Sequence, residues 1–173
     1  MPAAVQVSAA DDITFSDSRF VNLGQTAIGI GNDANAHSSG VGLGASNITV
    51  TRSEIARNVA GGIVAGGVRA DAHHPSDQRM INRNITISNN RIHDLGADHR
   101  GIVSVLTTYV STATISHNEI YNLPYSGVSI GYGWGANEPG GSTHYANRGL
   151  YNYQPRYTTA TTASDNLFVG NYV

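Results

Sequence analysis

The sequence predicts an all-β fold in which one short unit repeats along the chain and stacks into a parallel solenoid. Apolar and polar residues alternate within the unit, as is typical of strands, and β-branched residues dominate it. Helical periodicity is absent, so no crossover helix separates the copies, and they must stack in parallel about 4.8 Å apart. The five copies are Ile13–Phe20, Ile48–Ile55, Ile85–Ile92, Ala113–Ile120 and Asn166–Val173.

The aligned copies define a core and a corner. The third position of every copy is apolar, and so is the position five residues further on. Each coil can bury these side chains only against neighbouring coils. Between the two core positions lies a corner at which Asn tolerates left-handed backbone and can hydrogen-bond to the next coil. The corner residues are Ser18, Ser53, Asn90, Asn118 and Asn171.

A second apolar strand follows each of the first four copies. These strands are Ala27–Ile30, Gly62–Ala65, Gly101–Val105 and Gly127–Ile130. Loops on either side of this strand stack along the solenoid and form the two banks of a groove. An uncharged floor would suit a sugar chain that lies flat, but would supply no acid or base. The predicted floor residues are Gly29, Val64, Val103 and Ser129.

Length and composition limit the classes of function. A chain of 173 residues is expected to form one domain, residues 1–173, with an insertion loop at about residues 131–162 before the last copy. The formal net charge is −2 and 13% of residues are charged, which argues against a nucleic-acid partner. No apolar run approaches membrane-spanning length, so no membrane partner is expected. Cys is absent, which excludes disulfides and thiolate metal sites.

The repeat columns, the corner Asn residues and the segment His117–Gly135 resemble right-handed parallel β-helix proteins of the pectin-lyase-like superfamily. Within it, the closest likeness is to the β-helix glycoside hydrolases of bacteria and fungi. The resemblance covers nearly the whole chain and implies a right-handed parallel β-helix of about five coils. It also implies a secreted, carbohydrate-active protein, with the targeting segment outside this chain. Because the fold hosts many activities, the resemblance assigns no substrate.

Candidate functional residues cluster in the loop of the third coil. Paired carboxylates serve glycoside hydrolysis as acid and as base or nucleophile, and Asp98 is the first candidate of such a pair. Tyr125 occupies the equivalent loop of the fourth coil. A solvated loop with an Asx turn at Asp94 is the structural alternative. The loop is two residues longer than its counterparts, and its expected substrate-binding residues are His93, Asp94, His99 and Arg100.

The insertion loop forms the opposite bank and contains the only Trp of the chain. Tyr132 and Trp134 offer flat apolar faces on which sugar rings can pack. Glu138 is the second candidate catalytic carboxylate, facing Asp98 across the groove. Packing of Trp134 onto its own coil is the structural alternative.

No metal site and no resident cofactor are expected. The residues Asp71, His73, His74 and Asp77 do not have a standard zinc-ligand spacing. Elimination on uronates needs a base and a charge neutraliser, so Ca²⁺ is expected only if the chemistry is lyase-like. Arg100 is the alternative neutraliser.

Two classes of function remain open. One is a polysaccharide-degrading glycoside hydrolase or lyase, and the other is a non-catalytic polysaccharide-binding or structural β-helix. The resemblance implies a further catalytic coil after Val173, so the chain is expected to be C-terminally truncated and to self-associate through its open end or edge. Ice binding, a third class, would require a flat, regular ladder of outward Thr. The sequence supplies one file, Thr14, Thr49, Thr86 and Thr114, but the coil spacings vary and no second Thr file flanks it.

Overall fold

A computed structural model describes residues 3–31, 43–67, 72, 74–131 and 161–173. Within these residues the chain is all-β, and its strands form three parallel sheets with successive strands stacked as in a β-solenoid. A short 3-10 turn, Gln78–Met80, precedes the strand Arg83–Ser88. One coil consists of one strand from each of the three sheets, which we call A, B and C. Along the chain, the strand of sheet B comes first, then the strand of sheet C and then the strand of sheet A. Handedness and the total number of coils stay predictions.

The three sheets run the length of the described solenoid. Sheet A contains β1 (Val5–Val7), β4 (Ile28–Ile30), β7 (Ile63–Ala65), β10 (Val103–Thr107) and β13 (Ser126–Ile130). Sheet B contains β2 (Asp11–Ser16), β5 (Ser46–Thr51), β8 (Arg83–Ser88), β11 (Ser111–Ser116) and β14 (Leu167–Val169). Sheet C contains β3 (Arg19–Val21), β6 (Glu54–Ala56), β9 (Arg91–His93) and β12 (Glu119–Tyr121).

The core consists of the predicted apolar columns in register. In sheet B, Val50 pairs with Phe15 on one side and with Ile87 on the other, and Ile115 and Phe168 continue the column. Burying a large aliphatic side chain stabilises the fold by about 1.5–3 kcal/mol. The Ile and Val side chains with no exposed surface among the described residues are Ile28, Ile30, Ile48, Val50, Ile55, Ile63, Ile85, Ile87, Ile92, Val105, Val110 and Ile120.

The predicted hydrogen bonding between corner residues of successive coils is confirmed at the corner between sheets B and C, and we call this column of bonded residues the ladder. The Asn90 N–H donates to Asn118 Oδ1 (3.0 Å), and the Asn118 N–H donates to Asn171 Oδ1 (2.9 Å). Each amide also reaches back to the preceding coil, since Asn118 Nδ2 donates to the Ile87 carbonyl (2.9 Å). Ser53 continues the ladder by accepting from the Ser18 N–H (3.1 Å). Polar groups buried at this corner are therefore hydrogen-bonded, as a core requires.

The residue before each ladder residue adopts left-handed backbone. Its φ is 52° at Asp17, 48° at Arg52, 57° at Asn89 and 54° at His117. Asn and Asp accept this conformation readily, whereas other residues with a Cβ are held in it at a cost of roughly 1–2 kcal/mol. The in-register stack enforces the turn even where Arg52 and His117 occupy it.

The predicted alignment of β10, the fourth strand of sheet A, is wrong by three residues. Val105 pairs with Ile63, so Leu106, not Val103, joins Val64 in the outward column. In register, Ile92 pairs with Ile55, and Val105 pairs with Ile63. The chain advances eight positions from Ile55 to Ile63 but thirteen positions from Ile92 to Val105. The loop between β9 and β10 is therefore five residues longer than its counterpart, not two. The predicted insertion at 131–162 lies almost entirely outside the described residues.

Replacing Asn118 with Ala should lower the free energy of unfolding by about 2–4 kcal/mol, because the Asn90 N–H and the Ile87 carbonyl both lose a buried partner. Denaturant unfolding followed by circular dichroism measures the change as a lower midpoint at an unchanged slope. The control is Asn89→Gly, which removes an exposed amide at a left-handed position that Gly accepts. Equal stability of Asn118→Ala and the wild type would contradict the role given to the ladder.

Candidate functional site

The outer face of sheet C presents a column of alternating charges. Register places one residue of the column on each strand, in the order Arg19, Glu54, Arg91 and Glu119. The guanidinium of Arg19 contacts the Glu54 carboxylate at 2.6 Å. Arg91 contacts the Glu119 carboxylate at 3.0 Å and donates to the Tyr121 hydroxyl at 3.0 Å. The charges on this face are therefore paired between neighbouring coils.

His93 lies beneath this column as one half of an imidazole–carboxylate pair. Its Nδ1 lies 2.7 Å from Asp94 Oδ2, and its ring stacks on Tyr121 with centroids 4.9 Å apart and planes 3° from parallel. Strand β9 supplies the His, and the left-handed residue that ends the strand, with φ of 52°, supplies the Asp. The ring is fixed by this contact and by stacking, as catalytic and structural His–Asp pairs both require.

The carboxylates around His93 are held in the charged form. The hydrogen bond with His93 lowers the pKa of Asp94. The pKa of Glu54 is lowered mainly by the Arg19 hydrogen bond. His93 Nε2 lies 3.5 Å from Glu54 Oε1, is buried, and has no hydrogen-bond partner among the residues that the structure describes. A protonated imidazole would therefore bridge two carboxylates, and a neutral one would keep an unused lone pair.

A depression with a volume of about 450 Å³ lies at the corner between sheets B and C. Its lining residues are Arg52, Ser53, Glu54, Asn89 and Arg91. Arg52 enters it from the left-handed corner and is held by Asp17 at 2.7 Å. The depression therefore offers fixed guanidinium donors, carboxylate acceptors and an amide within one surface. This combination recognises hydroxyl groups, each of which is both donor and acceptor.

The charges of this surface balance. Each cation has an acid beside it, and Arg57 also lies 3.8 Å from Glu54. The cations are Arg19, Arg52, Arg57 and Arg91, and the acids are Asp17, Glu54, Asp94 and Glu119. Four positive and four negative side chains leave no net field to attract an anionic or cationic polymer.

Sheet B carries hydroxyl groups on its outer face. The four predicted Thr residues pair in register, with Thr49 between Thr14 and Thr86 and with Thr114 next. A second file, not anticipated from the sequence, lies two residues along each strand. Its members are Ser16, Thr51, Ser88 and Ser116.

The structure divides the predicted site into two parts. His93 and Asp94 are in contact with each other on sheet C. Asp98, His99 and Arg100 are exposed in the long loop between β9 and β10, and their side chains make no hydrogen bond or ion pair with the described part of the chain. Backbone bonds from Gly96 and His99 to the coil before it anchor this loop.

The remaining predicted residues lie further along the chain. Tyr125 is 66% exposed in the loop before β13. Tyr132, Trp134 and Glu138 lie outside the described residues, so the facing of Glu138 and Asp98 stays a prediction. Asp71 and His73 lie outside them too. Among the residues that are described, no group of three or more His, Cys, Asp or Glu side chains could hold a metal ion.

Sequence reasoning missed the charge column and the corner depression. A signal was available, because the residue after the corner position reads Arg, Glu, Arg, Glu in the first four copies.

No protein-family model, curated protein or solved structure matches the chain. In the part of the chain that the structure describes, no helix is both long and apolar enough to cross a membrane.

When the pH is lowered, Asp94→Asn should lose less stability than the wild type. The folded pKa of Asp94 is lowered, so its contribution is present above the unfolded pKa, about 3.9, and is lost as the pH falls through the folded value. Asn cannot titrate and accepts the left-handed backbone. The measurement is the denaturation midpoint as a function of pH.

Asp98→Asn is the matched control, since Asp98 is exposed and unpaired among the described residues. If the denaturation midpoint of Asp94→Asn falls as steeply with decreasing pH as that of the wild type, the His93–Asp94 pair makes no such contribution.

Proposed function

We propose that this chain is a carbohydrate-binding parallel β-helix module of the pectin-lyase-like kind that its repeat resembles. The ligand is a neutral polysaccharide that lies along the solenoid axis, over sheet C and the corner between sheets B and C. The observation that carries the proposal is the 450 Å³ depression lined by Arg52, Ser53, Glu54, Asn89 and Arg91. It seats a sugar ring among donors and acceptors that are already fixed.

The repeat supports an extended ligand. Neighbouring coils lie about 4.8 Å apart, close to the length of one pyranose unit, so successive sugars meet the Arg and Glu side chains of the column in alternation. Arg91 and Glu119 continue the polar column on the C-terminal side of the depression, and Arg19 continues it on the other side. A binding surface fixed by the scaffold loses little conformational entropy when the ligand arrives.

Charge balance favours a neutral ligand over a uronate polymer. Each guanidinium already contacts a carboxylate, and a second carboxylate would have to displace it. Hydroxyl groups can add to paired charges without breaking them. Binding should therefore depend little on salt, in contrast to the binding of a polyanion.

Arg91→Ala should weaken binding to a neutral polysaccharide by about tenfold to a hundredfold, because hydrogen bonds to charged groups contribute about 1.5–3 kcal/mol each. Affinity electrophoresis on a panel of neutral and uronate polysaccharides identifies the ligand, and calorimetry measures the loss. The control is Arg79→Ala, which removes an exposed, ion-paired Arg from the turn before β8, away from the depression. Equal losses in both variants, or binding to uronates alone, would exclude this site.

Polysaccharide cleavage is the second candidate, and the five-residue extension of the loop that carries Asp98, His99 and Arg100 favours it. Loops of unusual length on a rigid scaffold often carry function. Release of reducing ends or of unsaturated products by the wild type, lost in Asp98→Asn and in Glu138→Gln, is the expected result for an enzyme. Binding without any release by the wild type would leave only the non-catalytic module.

A further inference from the structure

Glu54 belongs both to the corner depression and to the surroundings of His93. Its side chain is one of the groups that line the depression. Its Oε1 also lies 3.5 Å from His93 Nε2, on the neighbouring strand of sheet C. A change in the charge of the imidazole therefore acts directly on an acceptor of the proposed binding site.

The two carboxylate oxygens of Glu54 have different partners. Oε2 accepts a hydrogen bond from Arg19 Nε at 2.6 Å. Oε1 lies 3.8 Å from Arg57 Nη1, which is too long for a hydrogen bond, and accepts none from the described residues. Oε1 is therefore the oxygen that can accept from a sugar hydroxyl in the depression.

The Asp94 carboxylate determines which nitrogen of His93 can gain a proton. Nδ1 lies 2.7 Å from Asp94 Oδ2, and this hydrogen bond lowers the pKa of Asp94. A charged carboxylate can only accept, so Nδ1 carries the proton of the neutral ring. Nε2, which is buried without a hydrogen-bond partner among the described residues, then faces Glu54 as a lone pair. A second proton can enter only at Nε2 and turns this contact into a donor beside an acceptor.

Histidine ordinarily changes its charge between about pH 5 and 8. The carboxylates that face the ring are Asp94 and Glu54, and the pKa of each is lowered, so neither gains a proton near neutral pH. Arg57 supplies a positive charge beside Glu54. On the other side, Tyr121 stacks on the ring with centroids 4.9 Å apart. The neighbouring carboxylates therefore cannot account for a change in binding over this range.

We propose that His93 is a positioning residue that makes polysaccharide binding depend on pH, because its protonated Nε2 donates to Glu54 Oε1 and withdraws that acceptor from the depression. The inference rests on the proposed function and adds its regulation. Only 9% of the His93 side chain is exposed, against 25% of Glu54, so the carboxylate moves towards the fixed ring. The polysaccharide is bound at neutral pH and released in acid.

Calorimetric titration at about pH 7.5 and about pH 5.5 measures the effect. The probes are three soluble neutral polysaccharides: dextran, galactomannan and β-glucan. Affinity should fall by about tenfold at the lower pH, because a hydrogen bond to a charged acceptor is lost. The polysaccharide binds the deprotonated form better, so binding should release protons, and the apparent enthalpy should vary with the ionisation enthalpy of the buffer. A purely structural role of His93 would not produce proton release.

His93→Phe keeps a ring that can stack on Tyr121 but cannot take up a proton. Its affinity should be the same at both pH values, and its binding should release no proton. His74→Gln is the matched control, since His74 does not line the depression, and should keep the pH dependence of the wild type. Circular dichroism checks the fold of each variant. His93→Gln, which cannot titrate either, replaces His93→Phe if the apolar ring beside Glu54 prevents folding.

Nuclear magnetic resonance of the protein without polysaccharide gives an independent measurement. The carboxylate carbon signal of Glu54 should shift with the same midpoint as the ring signals of His93, and His93→Phe should lose this transition. A Glu54 signal that does not follow His93 would overturn the inference. Equal or higher affinity at the lower pH, or wild-type pH dependence in His93→Phe, would also overturn it while the proposed function stands. Binding of none of the three polysaccharides at either pH would refute the proposed function and this inference together.

Discussion

Each coil is tied to the next by a side-chain oxygen that accepts a hydrogen bond from a backbone N–H at the corner between sheets B and C. The bond from Asn90 to Asn118 and the bond from Asn118 to Asn171 have the same geometry at 3.0 and 2.9 Å. A shift of one residue would leave both ends of every such bond buried and unsatisfied, and would move each apolar side chain to the outer face. The ladder therefore fixes the register of the whole solenoid.

The surface chemistry follows from that register. Because Ser53 and Asn90 are aligned, the next residues, Glu54 and Arg91, are aligned as well. Charged side chains of opposite sign meet without any loop to position them, and His93 is brought beside Glu54 by the same pairing. The backbone that carries this polar face is paired within the sheets or lies at the corner next to them, in contrast to sites carried on loops.

The sequence was sufficient to predict the strands, the apolar columns and the corner ladder, because each copy repeats the same local pattern. The sequence-based alignment misplaced β10, where Ile102-Val103 and Val105-Leu106 are both apolar and only pairing with Ile63 distinguishes them. His93 and Asp94 are adjacent in the sequence, so their pairing could be expected from it. The stacking of the His93 ring on Tyr121 could not, because Tyr121 belongs to another coil. Contacts between coils become visible only once the register is known.

The spacing of the coils shows where this scaffold can take in foreign sequence. Five residues separate the two core positions across the ladder corner, as from Phe15 to Phe20 and from Val50 to Ile55. Across the corner between sheets C and A the interval is eight residues in one coil and thirteen in the next. The extra residues project outward while the strands on both sides stay paired. Segments grafted between β9 and β10 would therefore be displayed on the surface without shifting a coil.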